Sequence, residues 1–557
     1  AVFLPLICGA VLLVMKTEPE QLATNVIAAA GFFVPMGIAL LLWYVFAGPG
    51  AGDLRDVGGF AFINFSDGKL GHDLGLAEPF GIPLGIRLAF GLNGVSLPLF
   101  VMAGIVGAAA GAYALRMHIA ARRNLFLGLL LIMLGGLMGT FASIDIFFFY
   151  FFHELALIPT FILLGVWGGT HGRAYALEVT IYLTLGAMLT LVGLIGIYAS
   201  AGEVTGLMTD PYTVLGAFVA EGQQPGFNMI LLREYFREVP LDGDFFQQNL
   251  AAVLLLGFGI LVSLFPLHSW APKAYATAPT PNAMMHAGVL KKFGLYGLVQ
   301  IAAPILPEGL AHWSQVLVWL ALGNIIIIGF VTTAQRDLKR MVAYSSVMHM
   351  GYIFLGLAVM SQVGMGAAVM LMFAHGLSVA LLLLLSDYIR ERSGTLEMRR
   401  MGGLGPQAPV LSALFVGGIF ASAGLPGFAN FWGEFGVFVA IGEDGFAWAL
   451  APAALGIVIS AIYGLRAVAN IFFGPPTERL QQHLIAHPAK DLSLAERAPA
   501  FLLIGALIFV GFWPRSLSDK IDRDTPKPTG ILNLHIGAAP DGPAAARNLQ
   551  TETSDES

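Results

Sequence analysis

Charged residues and cysteines are scarce in this sequence. Of its 557 residues, 29 are basic and 35 are acidic, so 11% are charged, whereas a soluble domain carries roughly 25%. A soluble protein of this length could not cover its surface with so few charges. The one cysteine, Cys8, excludes a disulfide framework, an iron–sulfur cluster and cysteine-ligated zinc. The net charge of −6 gives no reason to expect nucleic-acid binding.

Apolar residues are abundant instead, at 57% of the chain, and they recur in runs of about 20, the length that crosses a bilayer. Such runs must be helical, because lipid offers no partner to an unpaired backbone group. The sequence therefore predicts an all-α polytopic membrane protein. No cleavable leader is predicted, and we expect a few residues before Ala1, which already lies in an apolar run. Fourteen spans are predicted, near residues 1–15, 25–47, 95–115, 124–142, 144–167, 174–200, 250–270, 282–306, 313–334, 338–359, 364–387, 409–441, 446–473 and 498–514.

Two of these spans are predicted to be broken within the membrane. Pro266 interrupts span 7 and Pro272 ends it, and span 12 contains Gly424, Pro426 and Gly427. Broken helices at corresponding places in two halves are typical of inverted-repeat transporters. Span 7 is the fourth from span 4, and span 12 is the fourth from span 9, which predicts two inverted five-helix repeats, each with one broken helix.

The predicted organisation has five regions. The polar loops 48–94 and 201–249 are both more acidic than basic, and the tail is expected to be extended or disordered. The regions are 1–123 (N-terminal helices and outer loop), 124–306 (first repeat half), 313–473 (second repeat half), 474–514 (last span with its preceding loop) and 515–557 (polar tail).

Among the short connections between spans, the ones that carry basic residues alternate with the ones that do not. The connections on the other side, near 143, 307–312, 360–363 and 442–445, contain no Lys or Arg. The positive-inside rule then predicts a protein of the cell inner (plasma) membrane with both termini outside. The basic residues expected in the cytoplasm are Arg116, Arg122, Arg123, Arg173, Lys273, Arg336, Lys339, Arg340, Arg390, Arg392, Arg399, Arg400, Arg479, Lys490 and Arg497.

Ionisable residues inside the spans are the candidate functional residues. A charge at mid-bilayer costs about 2.5–3.5 kcal/mol on insertion scales, so such residues face the protein interior and are usually functional. Each has a polar neighbour on its own helix face, as Glu154 has Tyr150 one turn earlier. The candidates are Glu154, Lys291, Lys292, His349, His375 and Glu434.

Structural roles are the alternative for these residues. Glu154, Lys292 and Glu434 could form structural ion pairs, and His153 is expected to be a packing residue rather than a functional one. No nucleotide fingerprint or metal-ligand cluster is present, so we expect no cofactor, no metal and no redox centre in this chain.

Four stretches resemble a known family. They are FPLHSWAPKAYATAPTPNAMMHAGVLKKFGLYGL, RDLKRMVAYSSVMHMGYIFLG, FAHGLSVALLLL and GLPGFANFWGEF. They are similar to the antiporter-like membrane subunits of respiratory complex I (NADH-quinone oxidoreductase) and to Mrp antiporter subunits, over about span 3 to span 14. The M-type subunit, which is subunit 4 in mitochondrial naming, resembles the chain most, because its span-12 motif also ends in glutamate. The resemblance implies fourteen helices with two inverted five-helix repeats.

The resemblance also implies roles for single residues. Glu154 matches the span-5 glutamate, Lys292 the central span-8 lysine and Glu434 the terminal proton-exit glutamate. His349 and His375 match the two family histidines.

Three positions depart from the family pattern, and Leu261 is the most important of them. Leu261 stands where the family usually has a lysine paired with the span-5 glutamate, and Lys273 and Tyr275 replace a usual Asp and His. Our hypothesis is that Lys291, the additional lysine beside Lys292, supplies the missing charge near Glu154.

The implied function is proton translocation within complex I, without redox chemistry in this chain. A carboxylate near a lysine stabilises its charged form, so separating Glu154 from its lysine would let Lys292 release a proton through water and histidines towards Glu434. The implied partners are the other membrane subunits of a complex I-like assembly, lipid and protons. Two alternatives remain at this stage: an Mrp-type sodium/proton antiporter subunit, and a structural spacer whose translocation was lost with the lysine at position 261.

Overall fold

The computed structural model describes residues 1–15, 21–47, 61–62, 72–73, 86–117, 119, 122–202, 225–241, 244–443 and 445–525. The described chain is predominantly helical, as the composition predicts. The helices are α1 (Phe3–Val14), α2 (Gln21–Ala47), α3 (Ser96–Arg116), α4 (Arg123–Ala142), α5 (Ile146–Trp167), α6 (Gly172–Ser200), α7 (Met229–Glu238), α8 (Asp244–Val262), α9 (Trp270–Thr277), α10 (Thr280–Gly288), α11 (Phe293–Gly297), α12 (Ala303–Ile305), α13 (Pro307–Leu322), α14 (Gly329–Ala334), α15 (Leu338–Ala358), α16 (Gln362–Ser393), α17 (Pro409–Ser422), α18 (Ala429–Glu443), α19 (Leu450–Phe472), α20 (Glu478–Ala486), α21 (Leu494–Phe512) and α22 (Arg515–Asp524).

Short elements connect or continue these helices. The 3₁₀ turns are Gly169–His171, Leu290–Lys292, Met398–Arg400 and Ala447–Ala449, and the π-helical segments are Leu298–Ala302 and Gly323–Ile328. Two antiparallel strand pairs lie in the loop before α3: β1 (Ala61–Phe62) with β4 (Gly91–Leu92), and β2 (His72–Asp73) with β3 (Arg87–Leu88).

Each of the fourteen predicted spans coincides with helix. Within the described ranges, eleven helices are long and apolar enough to cross a membrane. The helices α1 and α17 are apolar but shorter, and the region of α10 to α12 is divided into several pieces. The multi-pass helical fold is therefore confirmed, whereas the count of fourteen crossings and the inverted repeats stay predictions.

Capping side chains fix where several long helices begin. The Asp145 side chain accepts hydrogen bonds from the backbone N–H groups of Phe147 and Phe148 at the start of α5. Asp337 caps α15, and Ser361 caps α16. Such caps satisfy donors that a helix start leaves unpaired, which matters most where water is absent.

Helix α16 lies at the centre of the bundle. Its apolar stretch is completely buried, and it packs against α3, α10, α15, α17, α18 and α21. The polar side chains within this stretch of α16 are therefore shielded from lipid by protein on every side, and His375 is one of them.

Both helix breaks predicted from proline and glycine are present. Helix α8 ends at Val262 and α9 begins at Trp270, and α17 ends at Ser422 and α18 begins at Ala429. Asn324 compensates the first break, because its amide donates to the carbonyls of Ser263 and Val347 and accepts from the Phe265 backbone N–H. Backbone groups freed inside a membrane protein require partners of this kind.

A third break was not predicted. The sequence predicts one span over 282–306, but α10 ends at Gly288, and the 3₁₀ turn Leu290–Lys292 precedes α11. No proline lies between Gly288 and Phe293, so proline does not cause this break. Both candidate lysines lie in the interruption.

The expectation of an extended arm from residue 515 is wrong for its first ten residues. Arg515–Asp524 form α22, which packs against α16 and buries Leu517 and Ile521. The Gln362 amide donates to the Asp522 carbonyl, and the Asp524 carboxylate accepts from the Gly94 backbone N–H. Residues 526–557 of the tail, most of the loop 48–94, and residues 203–224 and 242–243 of the loop 201–249 lie outside the described residues.

Candidate functional site

The broken helix places Lys292 against His375 of α16. The Lys292 Nζ lies 2.9 Å from the His375 Nδ1 and donates a 2.8 Å hydrogen bond to the Ala287 carbonyl. That carbonyl belongs to the last turn of α10, where a helix leaves its acceptors without intrahelical donors. The interruption therefore creates the acceptor that holds the ammonium, and both side chains are buried.

Two glycines allow this close approach of α10 and α16. A Cβ at Gly288 would lie 3.0 Å from the Gly376 carbonyl oxygen, and a Cβ at Gly376 would lie 2.7 Å from that of Gly288. Small residues at a crossing let helix backbones approach closely. Gly376 directly follows His375, so the crossing point lies at the lysine–histidine contact.

His349 on α15 continues the cluster from His375 to Glu434. The two imidazole rings have centroids 6.0 Å apart, and the His349 Nδ1 lies 3.5 Å from the Glu434 Oε1. The other ring nitrogen of His349 lies 3.1 Å from the Tyr463 hydroxyl and 3.4 Å from the Ser422 hydroxyl. His349 therefore connects helices α15, α17, α18 and α19.

Glu434 lies against the second helix break. Gly424 has a left-handed backbone (φ +70°), and a Cβ there would overlap the Glu434 carboxylate. Only glycine accepts both the backbone conformation and this proximity without strain. Asn430, one turn before Glu434, donates a 3.4 Å hydrogen bond to the Ser378 hydroxyl of α16.

Lys292, His375, His349 and Glu434 thus form a continuous series of titratable side chains, which we call the buried row. Each member is at most 3% exposed. The series consists of an amine, two imidazoles and a carboxylate, all of which take up and release protons. A side-chain movement or a bridging water is enough to connect one group to the next for proton transfer. The structure brings together four of the six residues predicted from the sequence.

Lys291 points away from Glu154. Its Nζ lies 3.3 Å from the Ser346 carbonyl oxygen on α15 and 5.5 Å from the centre of the Tyr275 ring. Across the residues that the structure describes, no ion pair joins Glu154 to Lys291 or to Lys292. The pairing that the sequence led us to expect for Lys291 is not formed.

Glu154 lies on the outer face of α5 and not in the buried row. Its side chain is 31% exposed, and the neighbouring outward residues Phe151, Ile158 and Ile162 are exposed apolar side chains. Tyr150, one turn earlier, is close enough to the Glu154 carboxylate to interact with it. Among the described residues, the titratable side chain that faces the Glu154 carboxylate is His153, whose Nδ1 lies 3.6 Å from the Glu154 Oε1.

Tyr463 and Ser422 are site residues that the sequence did not reveal. Tyr463 and Ser422 contact His349 only because distant helices meet, and nothing in their local sequence indicates this contact.

In the described part of the chain, no group of three or more His, Cys, Asp or Glu residues could hold a metal ion.

Comparisons with known proteins identify the family of this chain. Residues 143–460 match the family model described as "NADH:quinone oxidoreductase/Mrp antiporter, TM". The chain is 32% identical to NAD(P)H-quinone oxidoreductase chain 4 of Gloeobacter violaceus over 487 residues, covering 85% of each chain. It is 31% identical to NADH-quinone oxidoreductase subunit M of Pseudomonas aeruginosa, covering 78% of this chain and 81% of that one.

A solved structure shows the same fold. A chain of respiratory complex I from Thermus thermophilus with bound NADH is 28% identical and superposes with a TM-score of 0.74. The match covers 94% of this chain and 98% of the other.

Proposed function

This chain belongs to the NADH:quinone oxidoreductase/Mrp antiporter family as an antiporter-like subunit of the M type, and on that premise we propose that it translocates protons as a membrane subunit of an NADH:quinone oxidoreductase. The observation that carries the proposal is the buried row, which holds four proton-exchanging groups within the bundle. Electron transfer belongs to other subunits of the enzyme, and this chain supplies the proton path.

Lys292 is the proton store of the proposed path. Burial in protein disfavours the charged form of an amine, while an acceptor at hydrogen-bond distance supports it. Lys292 has such an acceptor in the Ala287 carbonyl and a proton-accepting ring in His375. A change in the surrounding charges can therefore move the proton from the Lys292 Nζ to the His375 Nδ1, which leaves a neutral amine and an imidazolium.

His349 and Glu434 complete the path towards the second helix break. An imidazole has two ring nitrogens, so it can accept a proton on one and release a proton from the other. The His349 Nδ1 and the Glu434 Oε1 face each other and have no other hydrogen-bond partner. The His375 imidazolium passes its proton to the neutral His349 imidazole, across the 6.0 Å between the ring centroids, by way of a water. The His349 imidazolium then gives the proton to the Glu434 carboxylate, which becomes a carboxylic acid from which the proton leaves.

The setting of this activity is also part of the proposal. The positive-inside pattern supports a position in the cell inner (plasma) membrane with both termini on the outer side. The proposed partners are the other membrane subunits of the complex, as the relatives are named as subunits of such enzymes.

Replacing Glu434 tests the proposal. In Glu434→Gln the amide cannot hold the transferred proton, so we expect transfer through this chain to slow about 10²–10⁴-fold, the usual contribution of a proton-transferring group. The measurement is acidification per quinone reduced, in proteoliposomes that contain the whole complex.

Glu443→Gln is the matched control. Glu443 lies at the exposed end of the same helix α18, so its replacement should leave pumping unchanged. Normal pumping by Glu434→Gln would remove the proposal. Pumping that requires sodium would instead favour the Mrp-type alternative.

A further inference from the structure

The first half of the chain contains a second histidine–carboxylate pair. The His153 Nδ1 lies 3.6 Å from the Glu154 Oε1, compared with 3.5 Å between the His349 Nδ1 and the Glu434 Oε1. In both pairs the two facing atoms are buried, and neither atom has a hydrogen-bond partner within the part of the chain that the structure describes. The two pairs thus consist of the same two types of group, with nearly the same separation and with facing atoms that form no hydrogen bond.

The His153 ring is fixed relative to the lysine-bearing turn. It stacks on Phe293 with ring centroids 3.7 Å apart and an angle of 19° between the planes. Phe293 directly follows Lys292, and its ring also stacks on Phe149 at 4.4 Å. The imidazole is therefore attached by packing to the segment that holds Lys292, while its Nδ1 faces the carboxylate on α5.

Other candidate partners of Glu154 are engaged elsewhere. The Lys292 Nζ contacts the Ala287 carbonyl and His375, and the Lys291 Nζ contacts Ser346. Leu261 is apolar, buried, and packed close to Gly186 of α6.

The titratable groups near His153 come from its own helix and from α10. On its own helix they are Glu154 and Tyr150. From the elements packed against α5, His286 of α10 is close enough for its charge to interact with that of His153, and Lys291 interacts with His286 in turn. Glu154 is thus the carboxylate that faces His153, and His286 is the neighbouring titratable group on α10.

We propose that His153 is a proton-carrying residue and the exchange partner of Glu154. The step transfers the proton on the His153 Nδ1 to the Glu154 Oε1, which converts an imidazolium and a carboxylate into a neutral imidazole and a carboxylic acid; the reverse step restores them. At 3.6 Å the atoms are slightly beyond hydrogen-bond distance, so a small rotation of the flexible Glu154 side chain makes or breaks the contact. This inference rests on the proposed function, because the proton is useful only if the chain translocates it.

Two substitutions separate proton transfer from packing. His153→Phe keeps an aromatic ring on Phe293 and removes both nitrogens, and His153→Gln keeps hydrogen-bonding capacity but cannot carry a proton. We expect both variants to lower acidification per quinone reduced at least tenfold through this chain, and to change the pH dependence of pumping, because a proton-carrying group is lost. His171→Phe, at an exposed histidine, is the control and should behave like the unmodified complex.

The outcomes distinguish this inference from the proposed function. If both His153 variants pump normally with an unchanged pH profile while Glu434→Gln is impaired, the inference is wrong and the proposed function stands. If His153→Phe pumps normally and only His153→Gln fails, the histidine acts through packing, and the inference is again wrong. If Glu434→Gln also pumps normally, the proposed function itself fails.

Discussion

Glu154 and Glu434 each face an imidazole nitrogen at a separation just longer than a hydrogen bond. A contact of 3.5–3.6 Å between unpartnered atoms costs little to close and little to open, unlike a formed ion pair. Proton transfer needs this kind of adjustable geometry, because each group must alternate between donor and acceptor. The unpaired atoms at these two positions are thus consistent with exchange sites rather than with structural ion pairs.

Residue types were predictable from the sequence, but their pairing was not. The insertion cost of a charge identifies Lys292, His375, His349 and Glu434 as interior residues. Their order in space depends on α10, α15, α16 and α18 meeting, and Lys292 and His375 are 83 positions apart. His153 was expected to be a packing residue, which its stacking on Phe293 supports, while its contact with Glu154 was visible only in three dimensions.

Gly424 provides a test at the scale of one residue. In Gly424→Ala the left-handed backbone costs about 1–2 kcal/mol, and the added methyl group displaces the Glu434 carboxylate. We expect a lower unfolding temperature and reduced proton pumping, measured on the purified complex and in proteoliposomes.

The control for this substitution is Gly505→Ala in α21, where a Cβ meets no atom within 4 Å. That change should leave pumping intact and be neutral or stabilising, because alanine is favoured over glycine inside a helix by about 0.5–1 kcal/mol. Equal behaviour of the two variants would show that the carboxylate position is not determined by Gly424.

At the scale of elements, the breaks in helices organise the site. Two breaks follow from proline and glycine and were predicted, since these residues prevent a continuous hydrogen-bond ladder. The break at Leu290–Lys292 instead accompanies two contacts of the Lys292 side chain, one with the Ala287 carbonyl five residues earlier and one with His375 of α16. Helix α22 also escaped prediction, because its composition is polar and its stability comes from docking.

Docking of α22 predicts a measurable contribution to stability. Leu517 is 1% exposed beneath the helix, so Leu517→Ala removes a buried side chain and should destabilise the protein by about 2–5 kcal/mol. Thermal unfolding of the purified complex measures this effect. Leu494→Ala, at a leucine that is 83% exposed, is the matched control and should change the unfolding temperature little. A Leu517→Ala variant as stable as this control would show that α22 does not hold the fold together.

At the scale of the whole molecule, a mostly apolar bundle surrounds a narrow polar interior. Helix α16 is enclosed by its neighbours and carries the central histidine, while the exposed helix faces are apolar and suited to lipid or to neighbouring membrane subunits. Such a body can exchange protons along one internal path without exposing charges to lipid. The fold class and the family were predictable from composition and motifs, because apolar runs and quoted stretches are local properties of the sequence.

Removing the ammonium of Lys292 tests the central claim most directly. The measurement is the number of protons released per electron pair by proteoliposomes containing the complex with Lys292→Ala, compared with Lys490→Ala at an exposed lysine. The buried row requires a proton on the Lys292 Nζ, so we predict fewer protons per electron pair for Lys292→Ala and an unchanged number for Lys490→Ala. An unchanged number in both variants would contradict proton transfer through the buried row.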